Sequence, residues 1–321
     1  MLYIIILLLL FVLELVYFRI ADQFNIIDKP NQRSSHVALT LRGGGIIFYF
    51  AVSLYFFISG YEYPWFFIGL TLMTIVSFLD DILTLSNKIR LAIHFISVLL
   101  MAYELNIFNM PWYYLLATFI ITVGVINAYN FMDGINGITA CYSLSIGGLL
   151  MVVNRNEHFI SQDFLIYTML GLAVFTFFNF RTNAKCFAGD VGSVSIAFIL
   201  LFALGALIIT SGKLVYVLFL AVYGIDAVWT IIRRIYLKED IFSAHRSHLY
   251  QYLGNEVGIN KLLISFFYGF IQLLIGWLVI ETANKPAIDQ LWISIILLVC
   301  MSILYLFVKA YVVRKFVRND L

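Results

Sequence analysis

The sequence predicts an all-α polytopic integral membrane protein with about 11 transmembrane helices, its N-terminus outside and its C-terminus in the cytoplasm. The 321 residues are 63% hydrophobic and 12% charged, and the mean hydropathy is +0.97. A soluble domain carries about 25% charged residues, so this chain has more apolar surface than a core of its own could cover. The apolar runs are continuous instead of alternating, which indicates helices.

Eleven apolar runs are the candidate spans, each close to the roughly 20 residues that cross a bilayer. The first run has no basic start, contains Glu14 and lacks a small-x-small cleavage site, so we expect a retained helix and not a signal peptide. We expect residues 1–321 to form a single membrane-embedded domain. The predicted spans are 1–20, 43–60, 64–79, 89–106, 112–130, 137–153, 164–180, 191–210, 214–232, 259–281 and 289–308.

The basic residues predict how these spans are oriented. With the N-terminus outside, five loops and the C-terminal tail lie in the cytoplasm. Of the 20 Lys and Arg residues, only Arg155, Lys213 and Lys285 then fall on the other side. Because cytoplasmic loops are enriched in Lys and Arg, this distribution predicts the orientation of the spans. We expect a multi-pass protein of the inner cell membrane. Any active site is expected on its cytoplasmic face, where the polar loops gather.

The predicted cytoplasmic loops each combine carboxylates with amides, and each also carries glycines, basic groups or both. Asp80, Asp81, Asp133 and Asp190 all lie where a span meets the cytoplasm. Neighbouring carboxylates tolerate one another when a divalent cation lies between them, and oxygen ligands suit magnesium or manganese. A single acidic residue at a helix end is usually a solvated flank. Four of them beside Gly and Asn favour a shared metal site.

Basic residues in the same loops are candidates for binding phosphate. Arg42, Lys88 and Arg246 are able to neutralise phosphates, although the excess of positive charge on the cytoplasmic side accounts for them equally well. His245 and His248 are three residues apart. Two histidines without a third ligand make a weak metal site, and hydrogen bonding to a phosphate or diphosphate suits them better.

Two features leave their alternatives open. The glycines at 43–45 either present backbone N–H groups to an anion or allow helices to pack closely. Asp226 lies inside a predicted span, where a carboxylate is a functional hypothesis by default. Pairing of Asp226 with Arg233 or Arg234 is the structural alternative, and it is the one we favour.

The five loops together resemble those of a known family. The segments DKPNQRSSHVALTLRGGG, FLDDI, NAYNFMDGING, AGDVGS and HRSHLYQ occur in the order expected of the polyprenyl-phosphate N-acetylhexosamine-1-phosphate transferases. This superfamily, glycosyltransferase family 4, includes phospho-MurNAc-pentapeptide transferase. The resemblance covers residues 28 to about 254. The HRSH form is similar to the branch that starts O-antigen, capsule or related glycans, whereas the pentapeptide transferases typically show three consecutive histidines.

The resemblance implies a magnesium-dependent phosphoglycosyltransferase, with manganese as the alternative metal. It implies transfer of a sugar 1-phosphate, expected to be N-acetylhexosamine 1-phosphate, from a UDP-sugar to a polyprenyl phosphate such as undecaprenyl phosphate. UMP leaves, and the polyprenyl-diphosphate sugar starts a cell-surface glycan. The implied partners are the UDP-sugar, the lipid and the membrane, with no nucleic acid, and relatives suggest a homodimer. A cation-coupled membrane transporter is the alternative, but its binding residues would lie near the midplane.

The resemblance also implies catalytic and metal-binding residues. Asp80 and Asp81 match an aspartate pair implicated in catalysis and in handling the lipid phosphate, and His245 and His248 match a histidine loop beside the diphosphate. Asp190 matches the magnesium-binding aspartate. A lipid phosphate is mostly a dianion at neutral pH, since its second pKa is about 6. We therefore favour direct attack by the lipid over a two-step route through an aspartyl nucleophile.

The third loop supplies further implied ligands. Asn130 and Asp133 match nucleotide- or metal-site positions, so Asp133 is the second candidate metal ligand. Asn136 departs from the family, which often has a second aspartate in a DGxDG motif, and an amide carries no charge. The residues predicted to bind substrate are Arg42, Lys88, Asn130, Asp133, Asn136 and Arg246.

Overall fold

The computed structural model describes residues 1–28, 40–83, 85–240 and 246–317, which form a helical bundle with one short two-stranded ribbon. In the ribbon, β1 (Ile27–Asp28) pairs antiparallel with β2 (Thr40–Leu41). A 3-10 turn precedes α2 and another precedes α9. The helices are α1 (Leu2–Gln23), α2 (Ile47–Ile58), α3 (Pro64–Leu83), α4 (Asn87–Glu104), α5 (Trp112–Met132), α6 (Ile138–Glu157), α7 (Gln162–Asn179), α8 (Gly189–Ser211), α9 (Ala221–Tyr236), the single turn α10 (Leu249–Gln251), α11 (Lys261–Thr282) and α12 (Ala287–Val312).

The predicted fold class, an all-α polytopic membrane protein, is confirmed, whereas the number of spans and their orientation stay predictions. Every helix except α10 overlaps one of the predicted spans, and eight helical segments in the described part of the chain are long and apolar enough to cross a membrane. The helices α2, α4 and α7 do not meet both criteria. Proline marks several helix starts: Pro64 opens α3, and Pro111 and Pro286 precede α5 and α12. The fixed backbone of proline suits a first turn, where its missing N–H group has no partner to lose.

The helix α8 is the centre of the bundle. Every residue from Val191 to Leu204 is buried, as expected for a helix that is apolar on all sides. It packs against α2, α3, α5 and α6. On the α3 side, the Phe66 ring stacks on Phe198 and Phe202, with ring centroids 5.5 and 4.0 Å apart. Phe66 is near the start of α3 and Phe202 is in the second half of α8, so these helices are antiparallel and the end of α3 meets the start of α8. The start of α5 likewise lies beside the end of α8. We call the end of the bundle where α3 and α5 end and α8 begins the polar end.

The helix α12 lies at the periphery. Large apolar side chains such as Leu304 and Phe307 are 64% and 70% exposed, which suits a surface that faces hydrocarbon. Its buried residues are Tyr305, Lys309 and Val312. Because two of these three side chains are polar, α12 is docked on the bundle by hydrogen bonds as well as by apolar contact.

The glycines of the first loop pack directly against the start of α8. Gly44 N donates to Phe187 O at 2.9 Å. The backbones of Gly45 and Gly192 are so close that a Cβ atom on either would collide with the other. Of the two alternatives for the glycines at 43–45, close packing is the one that Gly44 and Gly45 adopt.

Candidate active site

Asp81 holds the first turn of α8 at the polar end. Its carboxylate accepts hydrogen bonds from Asp190 N and Val191 N, both at 3.0 Å. Arg42 Nε lies 2.7 Å from Asp81 Oδ1, and the Asp81 side chain is fully buried. A carboxylate at a helix N-terminus satisfies amides that have no partner inside the helix, and it interacts favourably with the helix dipole. Asp81 therefore locks α3 to α8.

Asp80 points to different partners, because consecutive residues on a helix are rotated by about 100°. Arg90 Nη1 lies 2.8 Å from Asp80 Oδ2, and Leu85 N donates to Asp80 Oδ1 at 2.6 Å. The adjacent carboxylates of Asp80 and Asp81 therefore do not share a cation within the protein. Each is neutralised by a guanidinium of its own, and this relieves the repulsion that their adjacency implies.

Asp190 joins the two ion pairs into one cluster. Arg42 Nη2 lies 3.3 Å from Asp190 Oδ1, and Arg90 Nη2 lies 3.6 Å from Asp190 Oδ2. Charges alternate along the order Asp81, Arg42, Asp190, Arg90, Asp80, which we call the Asp–Arg cluster. Asp190 is the most exposed of its carboxylates, at 16% against 8% and 0%, and it has the longest ion-pair distances. It is the carboxylate best able to accept an added cation.

Asp133 adjoins this cluster from the third loop. Thr139 Oγ1 donates to Asp133 Oδ1 at 2.6 Å. Removal from water raises the pKa of the Asp133 carboxyl to about 7; the Thr139 hydrogen bond opposes this rise, and the charges of Asp190 and Asp81 add to it. A carboxylate whose pKa is raised in this way is stabilised by a nearby cation.

The chemistry of the oxygen donors at the polar end fits a magnesium ion. Asp190 and Asp133 are oxygen donors, the type that magnesium prefers. Within the described residues, no three His, Cys, Asp or Glu side chains are grouped so that they could hold a metal by themselves. Magnesium is commonly held by one or two carboxylates, water and substrate phosphates. Two carboxylates therefore suffice for a magnesium ion whose other ligands are water and the phosphate groups of a bound ligand.

The described part of the fifth loop packs on the third loop. We call residues 246–251 the histidine loop. Tyr250 OH donates to Phe131 O at 2.9 Å, and the Tyr250 ring occupies the space that a Cβ atom on Gly134 would need. The ring of His248 lies 6.5 Å from the ring of Phe131. The histidine loop thus lies against the segment that carries Asp133, although the two are more than 100 residues apart in sequence.

Other predicted site residues are placed less centrally. Lys88 is exposed and makes no ion pair with the Asp–Arg cluster, whereas Arg90, two residues later on α4, binds two of its carboxylates. Asn130 is half-buried in the last turn of α5, and Arg246 is half-buried at the start of the histidine loop. His245 lies outside the described residues. Arg90 is a site residue that was not predicted from the sequence, because either of two nearby cations, Lys88 or Arg90, could face α8.

Asn136 ties the third loop to the fourth. Its Nδ2 donates to Arg181 O at 2.8 Å and to Thr182 O at 3.1 Å, while Ser265 Oγ donates to Asn136 O at 2.7 Å. An ionised carboxylate has no proton to donate. The departure from the DGxDG motif therefore supplies two hydrogen bonds that an aspartate would not make. The substrate contact proposed for this residue stays a prediction.

We expect Asn136→Asp to lower the free energy of unfolding by about 1–3 kcal/mol. The new carboxylate would face two carbonyl oxygens that had been paired with the amide. Thermal unfolding in detergent measures this difference. Asn284→Asp is the matched control, since Asn284 is exposed and its amide makes one long bond, at 3.5 Å, to Ile280 O. If both variants unfolded at the wild-type temperature, the contribution assigned to these hydrogen bonds would be wrong.

Asp226 is buried and paired, but with a different partner from those predicted. His248 Nδ1 lies 3.1 Å from Asp226 Oδ1, and both side chains are at most 2% exposed. Arg234 pairs instead with Glu239, at 3.1 Å. The predicted pairing with Arg233 or Arg234 is therefore wrong. The histidine loop folds back over α9, and His248 pairs with the carboxylate instead. A buried acid of this kind is also compatible with a cation-coupled transporter, but here its carboxylate is engaged inside the protein.

An apolar groove of about 750 Å³ lies between α5 and α8 at the end of the bundle opposite the polar end. Met101, Tyr114, Ile121, Leu204 and Ile208 are among the residues that line it. A groove with this lining suits an apolar chain better than a polar solute.

The known proteins that are similar in sequence to this chain are named as transferases. A sequence profile described as Glycosyl transferase family 4 matches residues 63–211. This segment contains all of the Asp–Arg cluster except Arg42, and it ends before the histidine loop. The chain is 26% identical to a Bacillus subtilis protein named "Probable undecaprenyl-phosphate N-acetylglucosaminyl 1-phosphate transferase", over 89% of this chain and 84% of the relative.

Two proteins of Thermotoga maritima are also similar. One, an undecaprenyl-phosphate alpha-N-acetylglucosaminyl 1-phosphate transferase, is 26% identical over 76% of this chain and 78% of its own length. The other, a phospho-N-acetylmuramoyl-pentapeptide-transferase, is 30% identical over 49% of this chain and 57% of its own length. The similarity to the first kind of relative thus extends over more of the chain.

Proposed function

Because the chain belongs to the polyprenyl-phosphate N-acetylhexosamine-1-phosphate transferase superfamily of glycosyl transferase family 4, we propose that it transfers a sugar 1-phosphate from a UDP-sugar to a polyprenyl phosphate. The sugar is an N-acetylhexosamine, the lipid is undecaprenyl phosphate, and the product starts a cell-surface glycan. The observation that carries this proposal is the Asp–Arg cluster beside Asp133 at one end of a membrane bundle.

The location of the cluster suits substrates of opposite character. A polyprenyl phosphate keeps its tail in hydrocarbon and its phosphate at the membrane surface, whereas a UDP-sugar comes from water. Only a site at helix ends is reached by both. We assign the polar end to the cytoplasmic face of the inner membrane, because the predicted loops there carry most of the basic residues.

The two arginines of the cluster are able to bind phosphate while they hold the carboxylates. A guanidinium has five N–H donors, and the side chains of Arg42 and Arg90 remain 35% and 27% exposed. Asp190 and Asp133 would hold the magnesium ion. When bound, this ion neutralises the phosphates and stabilises charge in the transition state. The arginines then orient the two anions, whose mutual repulsion is the first barrier to reaction.

The transfer is a displacement at phosphorus. An oxygen of the lipid phosphate forms a bond to the sugar-bearing phosphorus of the UDP-sugar, and the bond from that phosphorus to the bridging oxygen breaks. The electron pair leaves with UMP. Asp81 is fully buried against two amides and Arg42, and Asp80 is bound to Arg90. Neither carboxylate is disposed as a free nucleophile, which supports direct attack over a route through an aspartyl intermediate.

The apolar groove between α5 and α8 offers a place for the lipid tail. Asp190 and the groove residue Leu204 are both on α8, and a rise of 1.5 Å per residue separates them by about 20 Å. A polyprenyl chain of several isoprene units covers this length. The tail would then run along the helices that also present the catalytic end.

The test is UMP release by the purified protein with magnesium, undecaprenyl phosphate and a panel of UDP-sugars. We expect release with at least one UDP-N-acetylhexosamine, and only when the lipid is present. Absence of UMP with every sugar, from protein shown to be folded, would overturn the proposal. A covalent phospho-sugar enzyme trapped in a single turnover would instead remove direct attack. The homodimer stays a prediction.

The two cations on α4 are separable in the same assay. We expect Arg90→Met to lower kcat/KM by about 10- to 100-fold, the equivalent of one or two charge-assisted hydrogen bonds. Lys88→Met should cost less, because Lys88 is exposed and lies outside the cluster. Activity of the two variants is compared at equal folded concentration. A larger decrease in kcat/KM for Lys88→Met than for Arg90→Met would indicate that Lys88, and not Arg90, binds the phosphate.

A further inference from the structure

The carboxylate of Asp226 is the most heavily hydrogen-bonded acidic group in the described part of the chain. Its Oδ1 accepts from Leu249 N at 3.2 Å and lies 3.1 Å from His248 Nδ1. Tyr305 OH donates to the same oxygen at 2.9 Å, and Tyr268 OH donates to Oδ2 at 2.8 Å. Donors from the histidine loop, α11 and α12 thus converge on one side chain of α9.

The carboxylate determines which nitrogen of His248 carries a proton. An ionised carboxylate only accepts hydrogen bonds, so the 3.1 Å contact between Asp226 Oδ1 and His248 Nδ1 requires a proton on Nδ1. The opposite, Nε2 edge of the ring therefore faces away from Asp226. The same carboxylate binds the next backbone amide, Leu249 N, so it restrains both the ring and the backbone of the histidine loop.

The last helix completes this anchor. Lys309 Nζ donates to Thr230 Oγ1 and to Tyr305 OH, both at 2.7 Å. Each hydroxyl in turn donates to Asp226 Oδ1, at 3.2 Å from Thr230 and 2.9 Å from Tyr305. Lys309 is 5% exposed and supplies the positive charge that balances a buried carboxylate. Its position on α12 lies beyond both the family match and the motifs of the sequence.

We propose that Asp226 is a positioning residue for the histidine loop, which it holds through the Nδ1–H group of His248 and the amide of Leu249, and that Tyr305 and Lys309 make α12 part of this support. The inference rests on the proposed function and on the position beside the diphosphate that the family resemblance implies for His248. It adds a second layer of residues behind the site, and none of these residues belongs to the Asp–Arg cluster. An imidazole held in one tautomer presents the same edge to every substrate.

A purely structural role would leave a different signature from a positioning role. Asp226→Asn keeps the volume of the side chain but removes its charge, and the new amide is able to turn an N–H group toward His248. Asp226→Glu keeps the charge but overpacks a buried site. If Asp226 only stabilised the fold, Asp226→Asn would be the milder change. If it positions His248, Asp226→Glu should retain more activity.

The kinetic test compares these two variants by UMP release. We expect Asp226→Asn to lower kcat about 10²-fold with KM for the UDP-sugar changed less than about threefold, as for other groups that orient a histidine. The decrease in kcat should be at least about fivefold smaller for Asp226→Glu than for Asp226→Asn. Glu14→Gln is the matched control, because it replaces the carboxyl group of another fully buried side chain with an amide, outside the network. Equal or better activity of Asp226→Asn relative to Asp226→Glu would overturn the inference.

A second measurement does not depend on catalysis. Protein labelled with ¹⁵N-histidine reports which ring nitrogen is protonated, and the His248 signals are identified by their loss in His248→Gln. We expect a proton on Nδ1 in the wild type and a changed tautomer population in Asp226→Asn. A wild-type ring protonated only on Nε2 would overturn the inference. If the wild type released no UMP with any sugar, the proposed function would fail. The NMR measurement would still test the contact between Asp226 and His248 Nδ1, so the two failures are distinguishable.

The contribution of α12 has its own variant. Lys309→Met removes the buried ammonium but leaves the carboxylate and His248 in place. We expect it to lower kcat by about threefold to tenfold, less than Asp226→Asn, since the hydroxyls of Thr230 and Tyr305 remain. A Lys309→Met protein with wild-type kcat would remove Lys309 from this support.

Discussion

Asp190→Asn is expected to abolish magnesium-dependent UMP release, with kcat at least about 10²- to 10³-fold below the wild type. The substitution keeps the size of the side chain and removes its charge. Arg42 and Arg90 keep their contacts to Asp81 and Asp80, so the bundle should still fold. What is lost is the most exposed carboxylate of the cluster, which is the one proposed to hold the metal.

The dependence of UMP release on magnesium concentration measures this effect. A metal ligand predicts that added magnesium recovers part of the rate, whereas a purely structural residue predicts no such recovery. Asp163→Asn is the matched control, because Asp163 is exposed at the start of α7 and bonds Tyr3 OH at 2.7 Å, away from the cluster. Full activity of Asp190→Asn would remove Asp190 from the site.

The adjacent aspartates are expected to differ in what their loss does. Asp81→Ala should lower the free energy of unfolding by about 2–4 kcal/mol, because it removes the acceptor of two amides at the start of α8. The ion pair with Arg42 adds little to this figure, since a side chain 35% exposed is screened by solvent. Asp80→Ala should cost about 1–2 kcal/mol, since one amide and one part-exposed ion pair are lost.

Denaturant unfolding in detergent micelles gives both free energies. UMP release, measured at equal folded concentration, then separates stability from catalysis. We expect Asp80→Ala to show a large loss of UMP release with only a small loss in the free energy of unfolding. In Asp81→Ala, both quantities should fall strongly. Equal destabilisation by the two substitutions would contradict the distinct roles that their hydrogen bonds indicate.

The fold class and the set of polar loops were predictable because both depend on local sequence. Continuous apolar runs indicate membrane helices wherever they occur, and the boundaries of most predicted spans fall within a few residues of the helices. The position of Asp190 in the first turn of α8 was predictable for a similar reason, since it lies between glycines at the start of a predicted span. Its role as a metal ligand stays a prediction. Asn136 was recognised as a departure from the family motif, but its use as a donor to the fourth loop was not.

The partners of the charged residues were not predictable. Most of these helices are apolar on all sides and show little of the amphipathic pattern that marks the buried face of a soluble helix. Nothing in the order Lys88, Ile89, Arg90 indicates which cation turns toward α8. Asp226 likewise has two arginines close by in sequence, and yet it binds a histidine 22 residues away.

The amino-acid sequence by itself determined that this is a helical membrane protein whose polar residues collect at one end of its spans, because hydrophobicity and charge act on each segment separately. Only the tertiary structure decided how those residues pair. Asp80 and Asp81 diverge because α3 rotates them toward different neighbours, and Asp226 reaches His248 because α9, α11 and α12 pack around it. Such pairings depend on distances between segments remote in sequence, and packing alone sets those distances.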